Sequence, residues 1–530
     1  MKRAVSALAI AALGLTACSS AGGTPTDRTL TVALPAPPES LNPGQNGSGA
    51  QGIVHWLTYE PLIRAKSDGT FAPALATSWK YVGKGNTRFE LTLRPGVKFA
   101  DGTAVDPAAV AATINYYLKT PGSMSPFLTG ITGAKATGEQ TVRVDLSSPN
   151  PMLPYVFSQL VNWGDVISPA GLKNPGQLTT RTFGAGPYTL DTSATVAGDH
   201  YTLVKNRNYH DPSAQRWDKV VIKVISDPNS ALQALNSGQI DVDLNATATL
   251  SSQAKGMGAT VLSGDPGVIS LYLLDRDGKT VPALGEQKVR QALNHAIDRN
   301  ALAKALGTGY DPTGQLAPQG TDGHDPALEK TYPYDPAKAK KMLADAGYPD
   351  GFDLKIVDLS TFGLNVVSQA IVAQLAKVGV RATITNVGND LNKYVAELGS
   401  RKYGATTFRL ANPMFASALF NFAGAASPLN PYQSRSPEIA GAFTGLAAAP
   451  ADRQKTAAQN LNKTVLDQAW FVPITTVHNY IFAKKISGLG TYGSNGAIDV
   501  LSWTPGNTAA QTTRSNPQRN TDRPGSHRPR

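Results

Sequence analysis

The chain has one cysteine, Cys18, in 530 residues. No disulfide, no Cys-based zinc site and no cysteine nucleophile is available to the residues that follow it. The fold must therefore be held by buried apolar surface, and the composition supplies it. Hydrophobic residues make up 41% and charged residues 16%, a globular balance. The length corresponds to about three domains at ~150 residues each. The formal charge of +11 is uneven. Lys2 and Arg3 contribute +2, and the stretch from Gly506 onward has five arginines against one aspartate, which leaves +5 for the body. No basic helix or arginine-rich groove is visible, so nucleic acid is not an expected partner.

Ahead of Cys18, the run Ala4 to Gly14 is apolar or small throughout. A positive head and a short apolar segment are the marks of a secretory signal. The run is too short to span a bilayer, which takes about 20 apolar residues. Leu15-Thr16-Ala17-Cys18 resembles the lipobox of bacterial lipoproteins. The resemblance implies that Cys18 carries a diacylglyceryl thioether and begins the mature protein. Two acyl chains give lasting attachment where one does not. An ordinary signal with an incidental cysteine is the alternative. The expected layout is a signal over 1–17, a linker over 18–28, and a body on the extracytoplasmic face of the cell membrane. The tail 506–530 lacks apolar residues and is expected to be disordered. It either touches anionic surfaces or is a solvated extension.

The body reads as α/β. TLTVAL from Thr29, FELTL from Phe89 and VRVDL from Val142 read as strands, the last two by their period of two. Asp106-Pro107 and Asp335-Pro336 are N-cap and first-turn proline pairs. Val110, Ile114, Tyr117 and Leu118 line one helical face behind the first pair. Ala339, Met342, Leu343 and Ala346 do so behind the second, and Gly347 stops that helix. Val289, Ala292, Leu293, Ala296 and Ile297 mark another helix. Val367, Ile371, Leu375 and Val378 mark one more, leading into the strand VRATI. Helix followed by strand, repeated, points to α/β layers.

Catalytic and metal motifs fail on inspection. Ser252 and Lys255 form an S-x-x-K without the K-T-G that should accompany it. Gly278-Lys279-Thr280 ends like a phosphate loop, but Leu273 stands where its first glycine belongs. Asp241-Val242-Asp243-Leu244-Asn245 opens like a calcium loop, but Ala246 replaces the turn glycine and Ser252 the bidentate glutamate. The seven histidines are scattered. No enzyme activity, metal or cofactor is expected.

Four stretches in order carry a family resemblance. The first is YEPLIRAKSDGTFAPALATSWK from Tyr59, followed by RFELTLRPGVKFADGTAVDPAAV. The second is GAGPYTL from Gly184 with LVKNRNYH behind it, and the third is ALQALNSGQIDVDL from Ala231. The fourth is VRQALNHAIDRNALAKAL from Val289, then YDPAKAKKMLADAGYPDGF. Together they resemble family 5 of the extracytoplasmic solute-binding proteins, the peptide, nickel and oligopeptide receptors of ABC importers. The resemblance runs from about Thr29 to Thr504. It implies a two-lobed fold of the periplasmic-binding-protein type, class II, in a three-domain variant with a hinge. Domain I would comprise 29–62, 183–267 and 485–505, domain II 63–182, and domain III, the second lobe, 268–484. It also implies a monomer that takes a peptide or small molecule between its lobes and passes it to permease and ATPase subunits.

Peptide-binding relatives typically carry a W-x-x-D-Y-x-D-P-like segment whose aspartate holds the ligand's α-ammonium group. The corresponding stretch here is YGATTFRLANPMFASALFNF, and no acid occurs between Glu397 and Glu438. Arg409 falls near the aspartate's place, next to Phe408, and Asn412-Pro413 stands for the Asp-Pro. An arginine there would pair with a carboxylate. The expectation is that Arg409 faces the cleft and that the ligand is not a free-amino peptide gripped in the usual way. A surface arginine at a strand end is the alternative. Trp56, Tyr59, Asn162 and Trp163 are further candidates, either lining the cleft or packed in the core. The rival solutes are a metal chelate, an oligosaccharide or a siderophore-like compound. The other rival readings are a peptide-pheromone sensor and a lipoprotein hydrolase.

Overall fold

The computed structural model describes residues 28–506 apart from 46–51, 67–69, 83–86, 121, 123–124, 129, 148–149, 151, 265–266, 412–418, 420–422, 425–426, 450–452 and 491–497. Cys18, the signal and linker segments, and the tail beyond Gly506 lie outside the described residues.

Two large sheets organise the chain. The first has seven strands in the order Thr260–Ser263, Tyr480–Ala483, Val242–Asp243, Thr29–Leu34, Lys219–Val224, His200–Lys205 and Tyr188–Leu190. Thr29–Leu34 runs parallel to both of its neighbours, and the other pairings are antiparallel. The second has six strands in the order Tyr310–Pro312, Phe471–Val477, Gly267–Leu273, Ala405–Leu410, Asp353–Asp358 and Arg381–Asn386. Its last three strands are parallel to one another. A four-stranded antiparallel sheet, Ala76–Val82, Arg88–Leu93, Thr141–Leu146 and Ile131–Ala136, is built from chain between the strands of the first.

Local chemistry accounts for the elements that the sequence foreshadows. Asp106 and Asp335 accept hydrogen bonds from the N–H groups of Ala109 and Lys338, and each is followed by proline. The helices Pro107–Tyr117 and Pro336–Asp345 start there for that reason. Gly238 closes the helix Pro228–Ser237 with φ 76°, a conformation that costs glycine little. Behind it, Val242–Asp243 joins the seven-stranded ladder. At Gly186, where the sequence shows a rigid Gly-Pro turn, a Cβ would stand 2.4 Å from the carbonyl carbon of Thr58.

The apolar core is divided in the same way as the sheets. One buried cluster runs from Leu30 through Val242 and takes in Ile481 to Trp503. It is shared by the seven-stranded and four-stranded sheets. A second cluster, from Ile269 to Ile474, fills both faces of the six-stranded sheet. Among the described residues, each of the buried clusters belongs to one side or the other. The strand Tyr480–Ala483 lies in the seven-stranded sheet. The chain therefore leaves the six-stranded sheet between Val477 and Tyr480, before the boundary expected at Lys484 and Lys485.

Candidate functional site

The two sides are joined where strands cross between the sheets. Thr260–Ser263 leads into Gly267–Leu273 on the outward pass, and Phe471–Val477 leads into Tyr480–Ala483 on the return. The crossings lie side by side. Gly264 N donates to Asn479 O at 2.9 Å, and His478 Nδ1 is 2.9 Å from Gly264 O. His478 Nε2 also lies 3.8 Å from Asp311 of the strand Tyr310–Pro312. A second touch across the junction is at Gly309, where a Cβ would stand 2.4 Å from Ala248 Cβ.

Arg409 stands at this junction. It pairs with Ile269 in the antiparallel ladder, and its side chain runs toward the crossing. A Cβ on Gly267 would be 2.5 Å from Arg409 Nε and 2.7 Å from its Cζ. Desolvation pulls the guanidinium pKa down to about 10. The group stays charged at neutral pH in surroundings where a carboxylate partner counts for more than in water.

Phe408 sits one residue away on the opposite face, as strand alternation requires. It meets Tyr272 edge-on at 5.9 Å and stacks on Tyr394 at 6.0 Å. Phe408 thus anchors the strand in the lobe. Asn412 lies outside the described residues.

The other four candidates are brought together, but inside the first side of the molecule. Trp56, Tyr59, Asn162 and Trp163 are all at most 7% exposed. Trp56 Nε1 donates to Gln159 O at 2.7 Å, and the Tyr59 hydroxyl accepts from Phe183 N at 3.1 Å. Trp163 packs edge-on against Tyr117 at 4.9 Å. Asn162 takes φ 62° in the turn before it. Large rings with one polar atom each are well placed in a core when that atom finds a backbone partner.

Two buried carboxylates, Asp243 and Asp358, stand at strand ends in the two lobes. Asp243 and Asp358 each close a strand running parallel to a neighbour, and neither has exposed surface. Asp243 Oδ1 accepts from Asn245 N at 2.8 Å, Asp358 Oδ1 accepts from Asn386 Nδ2 at 2.7 Å, and Oδ2 of each has no hydrogen-bond partner. Desolvation raises the Asp243 carboxyl pKa to about 6. Carboxyl ends of strands are where open α/β sheets take ligands. The sequence signal was slight: one acid at the end of each apolar run, in VD and in KIVD.

Comparison with known proteins agrees with this architecture. The chain is 27% identical over 420 residues to the glutathione-binding protein GsiB of Escherichia coli K12, covering 77% of this chain and 79% of that protein. Its fold matches the periplasmic binding protein AgaA of A. tumefaciens R10, solved with agropinic acid, with TM-score 0.77 at 23% identity over 90% of this chain and 99% of that one. It also matches DppA of Helicobacter pylori, an ABC transporter-associated periplasmic binding protein solved with the peptide STSA. There the TM-score is 0.75 at 21% identity, over 90% and 98% of the two chains. The two sheets with their separate cores are the two lobes of this class II fold. The family model for bacterial extracellular solute-binding proteins, family 5 Middle, matches residues 70–427. On that match and on this fold, the chain belongs to the family 5 extracellular solute-binding proteins of ABC transporters, which bind solutes and are not enzymes.

Proposed function

We propose that this protein is the lipid-anchored receptor of an ABC importer for a short peptide or a polar solute of similar size carrying at least one carboxylate. In this reading the solute is gripped between the lobes, and the closed form is delivered to a membrane permease. The first lobe combines domain I with the inserted domain II, and the second lobe runs between the two crossings. The observation that carries the ligand class is Arg409, a desolvated guanidinium at the junction where peptide-binding relatives typically place an acid. A relative named for binding glutathione, itself a tripeptide with two carboxylates, supports the same class. Acidic non-peptide solutes are the second reading. They are favoured by Arg409 and by the agropinic acid held in AgaA.

The energetics permit ligand-driven closure. A micromolar solute supplies about 8 kcal/mol. Moving an open–closed balance from 1:99 to 99:1 takes a differential of about 5.5 kcal/mol. Closure follows if most contacts form only when both lobes engage.

Native mass spectrometry of the protein made without residues 1–17 tests the reading. The expected result is a retained solute of a few hundred daltons that carries a carboxylate. A neutral or purely cationic passenger would refute the proposed class. Release of the Cys18→Ser variant from membranes tests the anchor.

A further inference from the structure

The described chain enters and leaves the first lobe at one place. Asp218 N donates to Arg28 O at 2.8 Å, and Arg28 N donates to the Asp218 carboxylate at 3.0 Å. The residue before Asp218, Trp217, donates from Nε1 to Trp503 O at 3.1 Å. Gly506 N, three residues on, donates to Lys485 O at 2.7 Å. Two adjacent residues thus hold the way in from the linker 18–28 and the way out to 507–530.

This end of the lobe lies opposite the hinge. The strand Thr29–Leu34 begins here, and Tyr480–Ala483 finishes here, antiparallel to Val242–Asp243. Asp241 ties the two together: its carbonyl accepts from Lys484 N at 2.9 Å, and its Oδ2 accepts from Thr31 N at 2.8 Å. The crossings to the second lobe start from the other end of these strands, at Ser263 and Tyr480.

Positive charge gathers at the same end. Arg28 and Lys205 flank Asp218 at 3.5 and 2.6 Å. Lys219 pairs with Thr29 in the ladder, and Lys485 is exposed beside Gly506. Beyond Gly506, Arg514, Arg519, Arg523, Arg528 and Arg530 stand against Asp522 alone. At ~3.5 Å per extended residue, the linker 18–28 reaches about 35 Å and the segment 507–530 about 80 Å. A segment that starts beside the tether and outreaches it always has the tethering bilayer within its span.

We propose that the basic segment 507–530, together with the cationic exit end of the first lobe, docks on anionic phospholipid headgroups. Guanidinium groups pair with the lipid phosphates, and each adds to the attraction of a negative surface. The end of the first lobe that is farthest from the hinge is thereby held at the bilayer. The inference rests on the lipid-anchored reading given under Proposed function. It adds a second, electrostatic attachment and says which part of the body meets the membrane.

The test uses the chain from Cys18 to Arg530 without acylation, so that any attachment comes from the protein itself. The protein is sedimented with vesicles of phosphatidylcholine alone and of equal parts phosphatidylcholine and phosphatidylglycerol. The wild type is expected to bind the anionic vesicles at least ~30-fold more tightly than the neutral ones, with the margin shrinking as salt is raised. The variant R514Q/R519Q/R523Q/R528Q/R530Q is expected to lose most of that margin. Equal binding to both vesicles, or an unchanged margin in the variant, overturns the inference. Binding of soluble poly(glycerol phosphate) as tight as binding to the anionic vesicles also overturns it, by assigning the segment to a polyanion outside the bilayer. Failure of the anchor alone would show in Cys18→Ser and leaves this unacylated measurement untouched.

Discussion

Arg409 lies against the backbone of Gly267, so close that a methyl group at 267 would meet its Nε at 2.5 Å and the Cβ of Ala411 at 2.8 Å. The absence of a side chain on one strand thus sets the course of the guanidinium on the next. Gly267→Ala is expected to turn the guanidinium off its line and to strain the ladder at Ala411, whose Cβ has no rotamer by which to move aside. Affinity for a free-carboxylate tripeptide pool should fall by calorimetry, and the melting temperature should fall with it. Unchanged affinity would mean that the guanidinium's course does not matter to binding.

Arg409→Ala tests the same group directly. Loss of a charged hydrogen-bond partner costs about 1.5–3 kcal/mol, roughly 10- to 150-fold in affinity. The loss should be confined to peptides with a free carboxylate. C-terminally amidated versions should bind the variant and the wild type alike. A uniform loss across both sets would assign Arg409 a packing role.

His55 should make the first lobe sensitive to acid. Burial lowers its pKa from 6.5 to about 4, although Ser40 O accepts from its ring at 2.9 Å. The unfolded chain takes up the proton first, so stability is full above pH ~6.5 and is lost as pH falls toward 4. The shift corresponds to about 3 kcal/mol. In urea titrations, His55→Gln should lose less stability than the wild type between pH 7 and pH 4.

Asp243 should act in the opposite sense. Its folded pKa of about 6 lies above the ordinary 3.8, so the folded chain binds more protons between those values. Stability therefore falls as pH rises from about 4 to 6 and stays flat above that. Asp243→Asn keeps an acceptor for Asn245 N and removes the penalty. The variant should gain about 2–3 kcal/mol relative to the wild type at pH 7.5, and none at pH 3.5. A gain independent of pH would point to another cause.

The caps give the plainest stability test. Asp106→Ala and Asp335→Ala each remove an acceptor for a first-turn N–H group. Each should cost about 1 kcal/mol in chemical denaturation. Gly238→Ala meets nothing within 4 Å and should cost about 1 kcal/mol from its left-handed backbone alone.

These local devices were legible in the sequence because each is set by neighbours in the chain. Asp-Pro starts a helix wherever it precedes an apolar stripe, and Gly347, at φ 90°, ends one for lack of a Cβ. The family motifs also gave the two lobes. The site was harder to read. Trp56, Tyr59, Asn162 and Trp163 have the composition of a binding wall, yet their partners, Gln159, Phe183 and Tyr117, lie far from most of them in sequence and close a core around them. Asp358 gave no motif because what sets it apart is an oxygen that nothing reaches. That property exists only after Asn386 and Thr406 have been folded beside its strand.

Gly264 and Asn479, 215 positions apart in the chain, are hydrogen-bonded neighbours. Everything between them departs from and comes home to one spot, like a bag drawn shut at its neck. Cutting that portion out and splicing the neck with a tight turn should spare the remaining lobe's own core. A paired strip of this kind also bends far more readily than it stretches, so the lobes are free to swing and constrained against drifting apart.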